Sequence, residues 1–414
     1  MLAKNILILS LVHIVRLVLP LLIIPVLTRR IGDNDFGIYM YAIAFAAWLS
    51  IFVEYGFNIS STREIACTSD QEETCRVIQG TQSAKLILAL LTLPLLAGTV
   101  LFVPVFQGHA YWALAAWLLG VLSALSPVYY FQGRESLRLV AIAEALTGLL
   151  TLLLVYFLIQ GKADFYRLPI IMVTARGVGL LILTSRMYAS AGMSQVRLFD
   201  FGAGIPLLKS GFNLFVFQGA ISFYTSFNVV FLGFMCSPAQ VGAYAAAERL
   251  MRAGLGFIAQ GSSAIFPRLN ALRGQQEAKM RRLRFQVLIG FIALGFAGMA
   301  ATWVIAPFIV KYMFPGNFVA VENIVVTLAL VIPAIAISNV LGFQYLLVER
   351  REKLFNAIIA SAAGVNIVMA YFLVKRYEVQ GMAVSWVVIE WGIAGALAVA
   401  VFVLRKNRNS LITG

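Results

Sequence analysis

Charge is scarce in this sequence. Of 414 residues only 12% are Asp, Glu, Lys or Arg, about half the roughly 25% of a soluble domain. A water-soluble chain of this size needs far more polar surface to cover its core. Cysteine is nearly absent as well: Cys67, Cys75 and Cys236 are the whole complement, too few for a disulfide framework. Histidine occurs only as His13 and His109. Neither stands beside a cysteine, so no zinc site is expected. No Gly-x-x-x-x-Gly-Lys-Ser/Thr loop occurs, which excludes a P-loop ATPase within these residues. Long polar connections are also missing. The longest, at about 58–83, 190–210 and 268–285, are too small to fold alone, so no external catalytic or receptor domain is expected.

Apolar residues make up 61% of the chain, and they come in long runs. Breaks between the runs predict spans at 6–28, 36–57, 84–106, 110–131, 139–160, 168–189, 211–235, 241–267, 286–310, 322–348, 354–374 and 382–404. Twelve crossings at about 20 residues each fit the length. The fold class is an all-α polytopic membrane protein. An outer-membrane barrel is excluded, because its strands alternate apolar and polar residues. The first run passes into Leu27-Thr28-Arg29-Arg30 without a small-residue cleavage site, so it reads as a retained first span rather than a signal peptide.

Lys and Arg number 32 against 18 Asp and Glu, a net charge of +14. In a soluble protein this excess would suggest nucleic acid. In a membrane protein it sets topology, and no nucleic-acid partner is expected. With both termini cytoplasmic, 21 of the basic residues fall on the cytoplasmic face and 7 on the opposite one. The remaining four, Arg16, Arg176, Arg249 and Arg252, fall within predicted spans. An arginine at mid-membrane costs at least about 2.5–3.5 kcal/mol, so four of them imply an interior lined by water or protein.

A shift of 205 residues, close to half the chain, aligns several markers without gaps. Lys4 falls on Lys209, Gly37-Ile38-Tyr39 on Gly242-Ala243-Tyr244, Gly56 on Gly261 and Arg63 on Arg268. Six spans separate the copies, which gives them the same orientation: a parallel repeat about an axis along the membrane normal. The expected organisation is two six-helix lobes, 1–205 and 206–414, around a central cavity, an arrangement suited to a carrier.

Several residues are candidates for chemistry. His13 and Arg16 share a face of the first span, and Pro20 and Pro25 follow as kink or hinge positions. Arg16 reads as an anion-binding group, His13 as a packed one. In the eighth span Glu248 and Arg252 have the i,i+4 spacing of an ion pair, which leaves Arg249 turned away from it. Arg176 precedes Gly177 and Gly179, which allow close helix approach. Glu54, Glu144, Glu248 and Glu390 are acids in apolar surroundings: either they couple transport to H⁺ or Na⁺, or they are counter-ions for the arginines. Asp33-Asn34-Asp35 could hold a metal in a membrane glycosyltransferase, but the loop is short, and either Asp suits the cap of the second span.

These residues fall in recognisable motifs. They are Leu27-Thr28-Arg29-Arg30-Ile31-Gly32 before Phe36-Gly37-Ile38-Tyr39; Glu54-Tyr55-Gly56-Phe57-Asn58 with Ser61-Thr62-Arg63-Glu64-Ile65-Ala66; and Phe131-Gln132-Gly133. Val241-Gly242-Ala243-Tyr244 with Ala247-Glu248-Arg249, and Val379-Gln380-Gly381-Met382-Ala383, complete the set. In this order and spacing the chain resembles, over essentially its whole length, the Wzx-type flippases of the multidrug/oligosaccharidyl-lipid/polysaccharide exporter superfamily. The resemblance implies a translocase for polyprenyl-pyrophosphate-linked oligosaccharide, serving O-antigen or a related surface polysaccharide. Its place would be the bacterial cytoplasmic membrane. It implies a cation-lined cavity and no enzymatic activity, with a polymerase and chain-length regulator of the same pathway as further partners. On this reading Arg16 and Arg249 bind the pyrophosphate, with Arg176 and Arg252 beside them, Tyr224 or Tyr244 would stack on the sugars, and no cofactor is needed. Two rival readings are a cation-coupled drug antiporter of the same superfamily and a membrane glycosyltransferase or polymerase. The first calls for an acidic cavity, the second for long outward loops.

Overall fold

The computed structural model describes residues 19–192, 201–272, 276–314 and 319–413. Lys4, His13, Arg16, Arg197 and Arg273 lie outside them. Among the described residues the elements are helical, without strands, and eight helical stretches are long and apolar enough to cross a membrane.

By contact the chain divides into two compact units, Met1–Gly242 and Ala243–Gly414. In the first unit α1 (19–30) leads through a turn at Ile31 into α2 (Gly32–Glu54). Then come α3 (Phe57–Cys67), α4 (Gln71–Leu91), α5 (Leu93–Phe102), α6 (Ala110–Leu125), α7 (Val128–Gly133), α8 (Leu137–Leu158), α9 (Leu168–Ser190) and α10 (Phe201–Leu232). The centre is α2, which packs on α6, α4 and α10. The outer helices turn large apolar side chains outward: Leu101 and Phe102 on α5, Leu146 and Phe157 on α8. That is the pattern of a surface solvated by lipid rather than water. Since α10 packs on α2 and α4, the contact division lies later in the chain than the repeat boundary at 205/206, which is a statement about sequence symmetry.

The connection between the first two spans is shorter than expected. Helix α2 starts at Gly32, whose φ of +81° favours glycine. Its N-cap is Ile31, with no side-chain bond to the cap. Asp33 and Asp35 therefore do not cap the helix. They lie in its first turn, where negative charge suits the helix dipole, and Asp33 Oδ1 accepts the amide of Asn34 at 2.9 Å.

Most of the expected loop 58–83 is helix. Tyr55 and Gly56, with φ of +51° and +82°, end α2 and start α3, which explains a glycine in that motif. Asp70 then caps α4, its carboxylate accepting the amides of Glu72 (3.2 Å) and Glu73 (3.4 Å). The first turns of α4 are too polar to register as a span. A cap and an inward face of Thr74, Ile78, Thr81 and Ser83 build the helix there instead of hydropathy.

In the second unit α11 (Pro238–Leu272) enters from the first. It is followed by α12 (Glu277–Met313), α13 (Val319–Leu328), α14 (Val331–Asn339), a π-helix at Val340–Leu347 and α15 (Glu352–Thr413). At 1.5 Å per residue, the 62 residues of α15 reach about three times the thickness of a bilayer core. They form two helices meeting at Glu378, whose φ of 50° and ψ of −135° are not helical. The seven-residue connection expected at 375–381 is thus a break at one residue. Helix α14 is the buried centre of this unit, packed between α12 and α15.

One close approach fixes the start of α11. A Cβ on Gly37 would fall 1.8 Å from the carbonyl oxygen of Pro238, and one on Gly242 would fall 2.6 Å from Gly37 Cα. The two glycines paired by the 205-residue shift therefore lie against each other.

Candidate functional site

Several charged groups inside each unit have identifiable partners. In the first unit Pro127 separates α6 from α7 and leaves the last carbonyls of α6 without helical donors. Lys85, wholly buried, supplies them. Its Nζ donates to the carbonyl of Ala124 at 2.7 Å and to that of Ser126 at 3.4 Å, and lies 4.9 Å over the ring of Tyr129. Gln82 donates to the Leu125 carbonyl at 3.4 Å and to Tyr129 Oη at 3.3 Å. A cation suits a helix C-terminus. The charge of Glu54 acts on the same lysine, and Glu54 Oε1 accepts from Asn58 Nδ2 at 2.9 Å. Lys85 therefore belongs to the interior and not to a cytoplasmic loop, a correction to its place in the charge count.

Arg30 works in the same way at the opposite end of the unit. Its Nη1 donates to the carbonyls of Tyr156 (2.5 Å) and Ile159 (2.6 Å), and the guanidinium lies 4.9 Å over the Tyr156 ring. It caps α8 rather than standing free in a loop.

Three of the sequence candidates meet in one cavity of about 220 Å³ in the first unit. Pro20 of α1, Glu144 of α8 and Arg176 of α9 line it, together with Thr147, Thr151 and Met172. Arg176 Nε donates to Ser123 Oγ on α6 at 3.0 Å, which fixes the guanidinium. Gly179 brings α9 onto Thr147 of α8: a Cβ there would fall 2.5 Å from Thr147 Oγ1. Glu144, Arg176, Thr147 and Thr151 bring polar groups into a lining that is otherwise apolar. Pro25, the second hinge candidate, lies within α1, where Thr28 Oγ1 donates to its carbonyl at 3.4 Å.

The second unit holds a cluster built on α11 and α15. Arg252 Nε donates to Glu248 Oε1 at 2.7 Å, and Nη2 donates to the same oxygen. The guanidinium lies 5.1 Å over the ring of Trp386. Trp386 Nε1 in turn donates to Glu390 Oε1 at 3.1 Å, and the Glu390 charge also acts on Arg252. Both carboxylates are buried. The i,i+4 pair expected from the sequence is present, and it recruits an acid from a helix well over a hundred residues away. Glu248 Oε2 is buried without a hydrogen bond among the described residues. The arrangement places two carboxylates around one guanidinium, with an acceptor left over for a proton or a small cation.

Arg249 is half-buried on the same helix and has no hydrogen-bond or ion-pair partner among the described residues. Tyr244, one turn earlier, is fully buried, so it is a packing residue and not a surface for stacking sugars. Tyr224 lies on α10, and its side chain is outside the description.

Sequence reasoning missed Lys85, Arg30 and the pair Arg284–Glu349. Arg284 is buried, its Nη1 2.9 Å from Glu349 Oε1 and its guanidinium 4.9 Å over Tyr345. It too is an interior group and not a free cytoplasmic charge. Only Tyr345 near the end of the tenth span and Glu349 just past it hint at the pair in the sequence.

Comparison with known proteins agrees with this picture. Residues 2–272 match the family model described as polysaccharide biosynthesis protein. A relative from Escherichia coli (strain K12), named "Putative O-antigen transporter", is 27% identical over 400 residues, 94% of each chain. A relative of the same name from Shigella dysenteriae is 28% identical over 390 residues, 92% of this chain and 95% of the other. The fold resembles that of a multidrug resistance MATE family transporter of the MOP superfamily in its inward-facing conformation. The TM-score is 0.71 at 16% identity, covering 97% of this chain and 99% of the other. It also resembles the lipid II flippase MurJ in an inward closed conformation, with a TM-score of 0.74 at 13% identity, covering 95% and 87%. With a family model matching well over half its length, this membrane protein belongs to the polysaccharide biosynthesis protein family.

Proposed function

We propose that the protein is a flippase for polyprenyl-pyrophosphate-linked oligosaccharide, working by alternating access in a bacterial cytoplasmic membrane with both termini cytoplasmic. The observation that carries this reading is Arg249: a half-buried cation on α11, the helix of the eighth predicted span, next to the Glu248–Arg252 ion pair and with no hydrogen-bond or ion-pair partner of its own among the described residues. A guanidinium held so has a reason to be there if an anion visits it. A pyrophosphate fits, because the planar fork of arginine gives it paired hydrogen bonds. Arg16 is assigned the same role from its place in the first span. Arg176 is a secondary contact, and Arg252 supports the site through Glu248.

The lipid tail stays in the bilayer while the glycan and diphosphate need a polar path. Two negative charges leaving an inside-negative cell gain about 2.3 kcal/mol each per 100 mV if they cross fully. That drives export. Returning the empty carrier then falls to the acids, with Glu248 and Glu390 in the second unit and Glu144 in the first taking up H⁺ or Na⁺. No enzymatic step is required. The relatives named for O-antigen support an O-antigen or related repeat unit as the cargo, handed to a polymerase and chain-length regulator on the outer leaflet.

The test is transport of labelled lipid-linked glycan by purified protein in vesicles. Arg16→Ala and Arg249→Ala should each abolish transport at normal protein abundance, while lysine at either position retains part of it. Wild-type transport by both alanine variants overturns the assignment.

A further inference from the structure

A second cationic cavity lies in the first unit, away from the groups above. It is about 770 Å³ and is walled by the ends of three helices: the start of α4, the turn from α7 to α8, and the end of α9. Arg134 and Arg186 line it with Ser69, Thr74, Ser136 and Ser190, and no carboxylate is among its lining residues. Arg134 is held in place by neutral acceptors. Its Nη2 donates to Thr74 Oγ1 at 2.8 Å and its Nη1 to the Thr68 carbonyl at 3.4 Å, so its charge is positioned but not neutralised. Arg186 is exposed and has no hydrogen-bond or ion-pair partner among the described residues.

Three of the nearby acids are committed elsewhere, and Glu135, beside Arg134, is exposed and not among the lining residues. Asp70 caps α4, Glu72 faces Arg76 at 3.8 Å, and Glu73 accepts from Thr68 Oγ1 at 2.5 Å. The last carbonyl at the end of α9, that of Ala191, already accepts from Gln71 Nε2 at 3.0 Å, so the negative helix end does not fill the site. Two guanidinium groups and a set of hydroxyls thus face an opening with no anion of the protein's own.

The geometry points to the phosphate headgroup of an anionic phospholipid as the occupant. The three connections belong to the face that the Lys/Arg asymmetry assigns to the cytoplasm, where anionic headgroups concentrate basic residues. A stripe of exposed apolar side chains on α8, Leu139, Ile142, Leu146, Leu149 and Leu153, runs away from the cavity at helical spacing and gives an acyl chain a surface to follow. A soluble phosphate would use the arginines but not the stripe.

Native mass spectrometry of the purified full-length protein tests this, with phosphatidylglycerol and phosphatidylcholine offered in equal amounts. The wild type should retain phosphatidylglycerol preferentially, and Arg186→Gln should lower that preference about fivefold, the weight of one interfacial arginine. Arg186 is exposed and makes no hydrogen bond or ion pair among the described residues, so this variant reads binding rather than folding. Millimolar inorganic pyrophosphate should leave the lipid bound. An unchanged preference in Arg186→Gln overturns the proposal. So does displacement by pyrophosphate, which would make the cavity a site for soluble anions or for the substrate's own diphosphate.

Discussion

A lysine with no exposed surface holds the end of α6, and its value to the protein lies in the two carbonyls to which it donates. Replacing Lys85 with methionine keeps the volume and removes the donor. The carbonyls of Ala124 and Ser126 then lose a charged partner, and an unsatisfied buried acceptor costs about 1–3 kcal/mol. The expected outcome is a lower unfolding midpoint in detergent; an unchanged midpoint would show that Gln82 or water takes over the cap. Lys85 was not legible in the sequence for a physical reason. It stands at the polar edge of an apolar run, where a snorkelling lysine and a buried cap look the same. The Glu248–Arg252 pair was legible, because helical spacing alone brings the two together. Glu390 and Trp386 were not legible as its neighbours, since their arrival depends on how α15 packs.

At the scale of elements, hydropathy located most of the helices, and turns decided where they end. The spans at 139–160 and 168–189 match α8 and α9 within two residues at each end, because polar residues bound them on both sides. The ends of α2, α4 and α15 departed from expectation, since backbone dihedrals and caps set them rather than apolar content. The crossing of α2 and α11 is the most demanding junction. A methyl on Gly37 meets the backbone oxygen of Pro238 at 1.8 Å, and backbone cannot rotate aside as a side chain can. Gly37→Ala should therefore cost well over the roughly 1 kcal/mol that alanine normally gains over glycine in a helix, seen as reduced abundance of folded protein by fluorescence-detected size exclusion. Gly98, whose Cβ would meet nothing within 4 Å, is the control: Gly98→Ala should be tolerated. Normal yield from Gly37→Ala would mean the two helices lie farther apart.

For the molecule as a whole, the orientation proposed from the charge bias has a probe within the chain. Cys67 is exposed at the end of α3, whereas Cys236 is buried. A membrane-impermeant maleimide should label Cys67 in inverted vesicles and spare it in intact spheroplasts; labelling from the outside would reverse the assigned topology. Removing Lys85, Arg284 and Arg30 from the loop count leaves the asymmetry in place, because two come off the cytoplasmic tally and one off the smaller outer tally. The 205-residue repeat is a feature of the sequence, carried by glycines and loop cations; of its pairs, Gly37 and Gly242 lie against each other. The identity of the proposed cargo was not legible, since no motif in the sequence specifies one glycan.

The hook made by Arg30 has a consequence for how the protein is made. Its acceptor on Tyr156 lies 126 residues downstream, and at roughly 5–20 residues per second a ribosome needs several seconds to deliver it. Throughout that interval the first hairpin carries an uncommitted guanidinium at the lipid–water boundary. The nascent chain therefore settles its opening turn only after the fifth span has emerged, and truncations ending before that point should expose Arg30 to modification that the finished protein resists.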